Sequence, residues 1–151
     1  NEKLVYKSHS KNINLVGKKV QFSIYKNKLN KNESFIFSKG KFKKSKSVPV
    51  RVLSKKIDKI KLLTNIEIMK NLKILSKYKS FILVVINNEL NKIKKNETNI
   101  TLRYYGLGAQ IIKDFNIQNM VLLSRTKKKI IGLEGFGLKI KKQVIIKWKK
   151  F

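Results

Sequence analysis

Residues 81–86 read FILVVI, six apolar side chains in a row. Strand side chains alternate between two faces, so an unbroken apolar run of this length demands a sheet covered on both sides. A transmembrane helix needs about 20 such residues, and this is the longest apolar run in the chain. The rest of the sequence must therefore supply further strands and the helices that cover them.

It does so in two styles. VQFSIYKN from Val20 and ESFIFSKG ending at Gly40 alternate apolar and polar residues, as half-buried strands do. VPVRVLS is a third β-rich run, where Pro49 favours an edge or a strand start. Three successive strands predict an antiparallel meander. From Ile57 the period changes: Ile57, Ile60, Thr64, Ile68, Leu72 and Leu75 mark a helix, with Asp58 near its start and lysines near Lys77 suiting the dipole. Beyond FILVVI, residues 87–99 read as a polar loop. Ile111, Ile112 and Phe115 mark a short amphipathic helix, NMVLLS (119–124) a buried strand, and LKIKKQVII a last, alternating one. The expected class is α/β: a mixed β-sheet with flanking helices. Residues 1–12 are polar and predict a linker, leaving 13–151 as one domain. The chain starts at Asn1 rather than Met, which suggests a piece of a longer protein, and no signal peptide is apparent; a cytoplasmic protein without a membrane role is expected.

Charge raises a separate question. The formal net charge is +29, and all but Arg51, Arg103 and Arg125 of the 37 cationic residues are lysines. A charge of this size binds polyanions non-specifically at low salt. Surfaces selected for nucleic acid lean on arginine forks and exposed aromatics. Lysine, asparagine and isoleucine rising together read as compositional drift over tolerant positions, with a basic RNA-binding protein as the alternative. The chain has no cysteine and one histidine, His9, which excludes disulfides, a thiol nucleophile and cysteine-type zinc sites.

Five of the seven glycines fall between Gly106 and Gly137. GLG before a helix suggests a phosphate loop, but the third glycine of a dinucleotide fingerprint is missing. A helix start that needs a flexible backbone is the better reading of Gly106 and Gly108.

The same region carries a family resemblance. LRYYGLGAQIIKDFNIQNMVLLS followed by IIGLEGFGLKI resembles the C-terminal part of GTP cyclohydrolase II over residues 102–146. Fainter similarity in VQFSIYKN, ESFIFSKGKF, VPVRVLS and FILVVI extends it upstream. The resemblance implies that fold, and a reaction in which zinc held by three cysteines activates water to open the guanine ring of GTP. Bound zinc brings its water to a pKa of about 7. On the family pattern Lys56 stands at the first zinc cysteine, Lys55 at an acid and Leu53 at a histidine, and DKIKLLTN (58–65) occupies the segment of the other two cysteines. No zinc or other cofactor is expected.

Arg103 matches the family's nucleophilic arginine, while Thr101 stands at its aspartate. The nucleotide contacts that persist are Arg51, Ser54, Ser124 and Lys128 or Lys129. The resemblance extends to proteins in which such a domain, sometimes without its zinc cysteines, follows a 3,4-dihydroxy-2-butanone 4-phosphate synthase in riboflavin synthesis. That implies an upstream synthase domain as partner, with a homodimer and bound GTP as further expectations. The reading is a riboflavin-biosynthesis support or dimerisation module, a pseudoenzyme in itself, with residual GTP binding or turnover as the alternative.

Overall fold

The computed structural model describes residues 3–15, 17–29, 32–87, 97–126 and 136–147, with backbone alone for 97–105. Seven strands form one sheet: β1 Val5–Leu15, β2 Lys18–Asn27, β3 Glu33–Lys39, β4 Ser47–Lys55, β5 Phe81–Asn87, β6 Asn119–Ser124 and β7 Lys139–Ile145. Their spatial order is β1-β2-β3-β5-β4-β6-β7. The first four in that order pair antiparallel, and β5, β4, β6 and β7 pair parallel. Helix α1 (Ile66–Leu75) covers one face and α2 (Glu97–Asp114) the other. The mixed α/β sheet expected from the sequence is the architecture found.

β5 shows why. Ile82, Val84 and Ile86 enter the core beneath α2, while Phe81, Leu83 and Val85 enter the core beneath α1. The α1 core is completed by Ile68, Leu72 and Leu75, spaced to put one apolar stripe on the sheet. Each such burial contributes about 1.5–3 kcal/mol.

Several expectations need correction. Residues 5–12, read as linker, belong to β1, whose outward positions are polar because it is an edge strand and only Val5 is fully buried. The meander is thus β1-β2-β3. β4 is neither its third strand nor an edge: it lies between β5 and β6, with Pro49 near its start, before its pairing with β5 begins at Val50. The helix expected from Ile57 is split in two. A 3-10 turn, Lys59–Thr64, is capped by the Asp58 carboxylate accepting from Ile60 N at 3.1 Å, and α1 restarts where Asn65 Oδ1 accepts from Ile68 N at 3.0 Å.

The glycine segment also differs. α2 begins at Glu97, so Gly106 and Gly108 lie inside a helix rather than at its start. Neither adopts a positive φ. Gly108 passes over the sheet where an added Cβ would sit 3.7 Å from Ile86 and 3.8 Å from Val52, ordinary contact distances. Its smallness serves helix–sheet packing, and a methyl group would be accommodated.

Candidate functional site at the carboxyl ends of the parallel strands

β4 lies at the centre of the parallel part of the sheet. The chain leaves it by way of α1 to reach β5 on one side, then returns by way of α2 to β6 on the other. Connections that part in this way open a crevice at the strands' carboxyl ends, where ligands of α/β sheets bind. The sequence-predicted residues can be placed against that frame.

Ser54 lies next to the last residue of β4 and is exposed. Val48, Val50 and Val52 of the same strand belong to the α2 core, so alternation sets Ser54 on the α2 side. Ser124 ends β6 on that same side, in step with Met120 and Leu122, and is buried. Its hydroxyl donates to Thr126 O at 2.8 Å, while its carbonyl accepts from Ile146 N. Ser54 and Ser124 therefore come to neighbouring strand ends on one face. Arg103 lies in α2, on the helix that covers this face. It is five residues before Gly108, about 7–8 Å along the axis. Lys128 and Lys129 lie outside the described residues.

Arg51 is not part of that grouping. It points to the α1 face, 7% exposed, where its Nε donates to Asn71 Oδ1 at 2.9 Å and its guanidinium reaches Leu123 O at 3.5 Å. Asn71 is fully buried and donates in turn to Glu67 O at 2.8 Å. Here the arginine joins β4 to α1 and β6 through the interior. The sequence did signal Asn71: it falls on the apolar stripe of Ile68, Leu72 and Leu75, where a polar residue must find a partner.

The end of β4 is also where the resemblance sets the metal. Lys55 Nζ lies 3.5 Å from Glu67 Oε2 and 3.4 Å from Asn65 Oδ1, bracing the strand end against α1. Ile57 N donates to Asn87 Oδ1 at 3.1 Å, and the capped 3-10 turn follows. Lysine is cationic here, and the Asp58 carboxylate is occupied as a cap. Among the described residues no three His, Cys, Asp or Glu side chains gather to hold a metal ion. The donor set does not fit a three-cysteine zinc centre.

A second polar cluster escaped sequence reasoning. The Tyr25 hydroxyl donates to Asp114 Oδ2, and Lys3 Nζ pairs with Asp114 Oδ1 at 2.7 Å. Leu4 N donates to Gln110 Oε1 at 2.8 Å, and the Lys7 ammonium sits 4.9 Å from the centre of the Phe115 ring. Burial, reinforced by the carboxylate, pushes the Tyr25 phenol up. Partial burial would raise Asp114, but the hydrogen bonds from Lys3 and Tyr25 and the charges of Lys3 and Lys7 outweigh it and hold the carboxyl below its ordinary value. The cluster ties β1 to the end of α2. Gln110 and Asp114 of the GAQIIKD stretch thus have a structural task, signalled in the sequence only by Asp114 being one of eight acids.

Comparison with known proteins agrees with this architecture. The profile of the family described as GTP cyclohydrolase II matches residues 66–145. The riboflavin biosynthesis protein RibBA of Bacillus subtilis (strain 168) is 54% identical over 43 residues, 28% of this chain and 11% of that protein. RibBA of Aquifex aeolicus (strain VF5) is 48% identical over 46 residues, 30% of this chain and again 11% of the relative. The matched stretches thus span about a tenth of these relatives' length. Among solved structures, the crystal structure of RibBX, a two-domain 3,4-dihydroxy-2-butanone 4-phosphate synthase from A. baumannii, superposes with a TM-score of 0.67 at 18% identity. That match covers 97% of this chain and 42% of the other, and establishes a shared fold. Because the family profile spans just over half of its residues, this chain belongs to the GTP cyclohydrolase II family.

Proposed function

We infer that this chain serves riboflavin biosynthesis as a non-catalytic member of its family, supporting a 3,4-dihydroxy-2-butanone 4-phosphate synthase rather than hydrolysing GTP. One observation carries the reading: where the family's metal loop belongs, β4 runs through the Lys55–Glu67 brace into a capped 3-10 turn. Cyclohydrolase chemistry needs an activated water, and no cysteine stands there to hold the zinc that supplies it in the family. Thr101, at the family's aspartate position, has a hydroxyl far too weakly basic to accept a proton at neutral pH. The relatives matched in sequence are named riboflavin biosynthesis protein RibBA, which supports the pathway, and the structure matched in fold is a two-domain 3,4-dihydroxy-2-butanone 4-phosphate synthase, which supports that synthase as partner.

Two measurements test this reading. After incubation with zinc and desalting, the chain should retain no stoichiometric metal, and its addition should raise the activity or thermal stability of the synthase from the same source. One bound zinc per chain, or a synthase indifferent to its presence, would contradict the reading. A narrower second reading is residual nucleotide binding, favoured by Ser54 and Ser124 lying at the ends of neighbouring strands on one face of the sheet. Saturable GTP binding weakened by Ser54→Ala would support it, without implying turnover.

A further inference from the structure

Three large apolar side chains are left exposed on one short stretch, Ile60 (89%), Leu63 (48%) and Ile66 (72%). Elsewhere among the described residues only Tyr6, Leu29 and Ile145 are comparably exposed. Ile60 and Leu63 belong to the 3-10 turn and form one wall of a groove of about 250 Å³. Ile13 of β1 and Phe22 of β2 line it from the sheet, and Leu62, Lys11 and Lys59 complete the lining. Lys56 and Lys61 are exposed nearby, and Glu33, 3.7 Å from Lys59, with Asp58 only partly offsets their charge. An apolar patch set in a charged rim marks a contact surface rather than ordinary exposure.

Charge selects the occupant. A second copy would bring two basic rims together on chains that each carry +29, and like charges facing across an interface are strongly disfavoured. A partner with an apolar anchor inside an acidic rim would satisfy both the groove and the lysines. We propose that this groove seats an apolar, acid-rimmed surface of the 3,4-dihydroxy-2-butanone 4-phosphate synthase, making the turn that replaces the metal loop a docking edge. The proposal rests on the support reading above and names the surface through which support is exerted. The groove has room for one or two anchoring side chains, the scale on which interface energy concentrates.

The test titrates the purified chain against the separately purified synthase from the same source, with calorimetric readout. Carboxylates placed by Ile60→Asp with Leu63→Asp remove the apolar wall and repel an acidic rim. Both sites are exposed enough for the fold to tolerate them, and an unchanged melting temperature verifies this. Binding should weaken roughly tenfold or more, while Leu29→Asp, on an exposed turn outside the groove, should stay within about twofold. Raising salt should weaken wild-type binding as the rim charges are screened. If the double variant binds as well as wild type, the groove assignment falls and the support reading stands. If wild type shows no binding, both fall. Self-association of the wild type that the double variant abolishes would overturn the choice of partner in favour of a second copy.

Discussion

Two side chains show how residue-scale chemistry divides structural from functional roles. Arg51 resembles a nucleotide ligand in sequence, yet its Nε bonds Asn71 in the interior beneath α1. Arg51→Ala should cost about 2–4 kcal/mol by urea unfolding, because it leaves the buried Asn71 carbonyl without this donor. Replacing both partners, Arg51→Met with Asn71→Leu, should recover part of that loss, since the Arg51–Asn71 hydrogen bond is then removed from both sides. A double variant as unstable as the single one would show that the pair is not the source of the cost. Asp114 gives a pH signature. Its folded-state pKa lies below the ordinary value of 3.8, so its contribution is present above that value and lost as pH falls through the folded pKa. Tyr25 is raised, so its contribution is complete below about pH 10 and lost as pH rises beyond it. The stability difference between wild type and Asp114→Asn should thus be constant near neutrality and shrink below about pH 4; a difference independent of pH down to 2 would show that the Lys3–Asp114–Tyr25 cluster does not tie β1 to α2.

At the scale of elements, legibility followed burial. β5, β6 and the inward side of α1 could be read directly, because apolar runs and stripes record which faces are covered. β1 was not legible: an edge strand with one fully buried residue has almost no pattern to show. The first turns of α2 were missed because NETNI lacks an apolar stripe, and the placement of β4 between β5 and β6 depends on long-range pairing that no local pattern encodes. The candidate site residues were named only by family likeness. Ser54 and Ser124 did come to one face, but Arg51 went to the other, as the alternation of β4 required. The glycines now separate cleanly. Gly108→Ala should be neutral or stabilising by up to about 1 kcal/mol, since the helix gains propensity and the methyl meets only ordinary contacts. Gly40→Ala should cost roughly 2 kcal/mol or more, because Gly40 sits at φ 96° and a Cβ would lie 2.8 Å from that of Ser80. Thermal melts of both variants check the pair, and a damaging Gly108→Ala would restore the case for a specialised loop.

For the whole molecule, the sheet, the helices that cover it and the Lys3–Asp114–Tyr25 cluster on β1 preserve a family fold, and among the described residues no metal donor set gathers at the end of β4. The lysines that dominate the surface do not define a site by themselves; those beside the 3-10 turn gain meaning from the apolar groove they border. No helix among the described residues is long and apolar enough to cross a membrane. On the reading proposed above, the molecule is a retained scaffold, with its stability in the two cores and its use in its surface. The most direct test of that claim is formate release from GTP by the purified chain supplied with zinc and magnesium, at enzyme concentrations stoichiometric with substrate. The account predicts no formate above the blank. Formate that appears with wild type and disappears with Arg103→Ala would contradict it, by showing that a cysteine-free cyclohydrolase site exists.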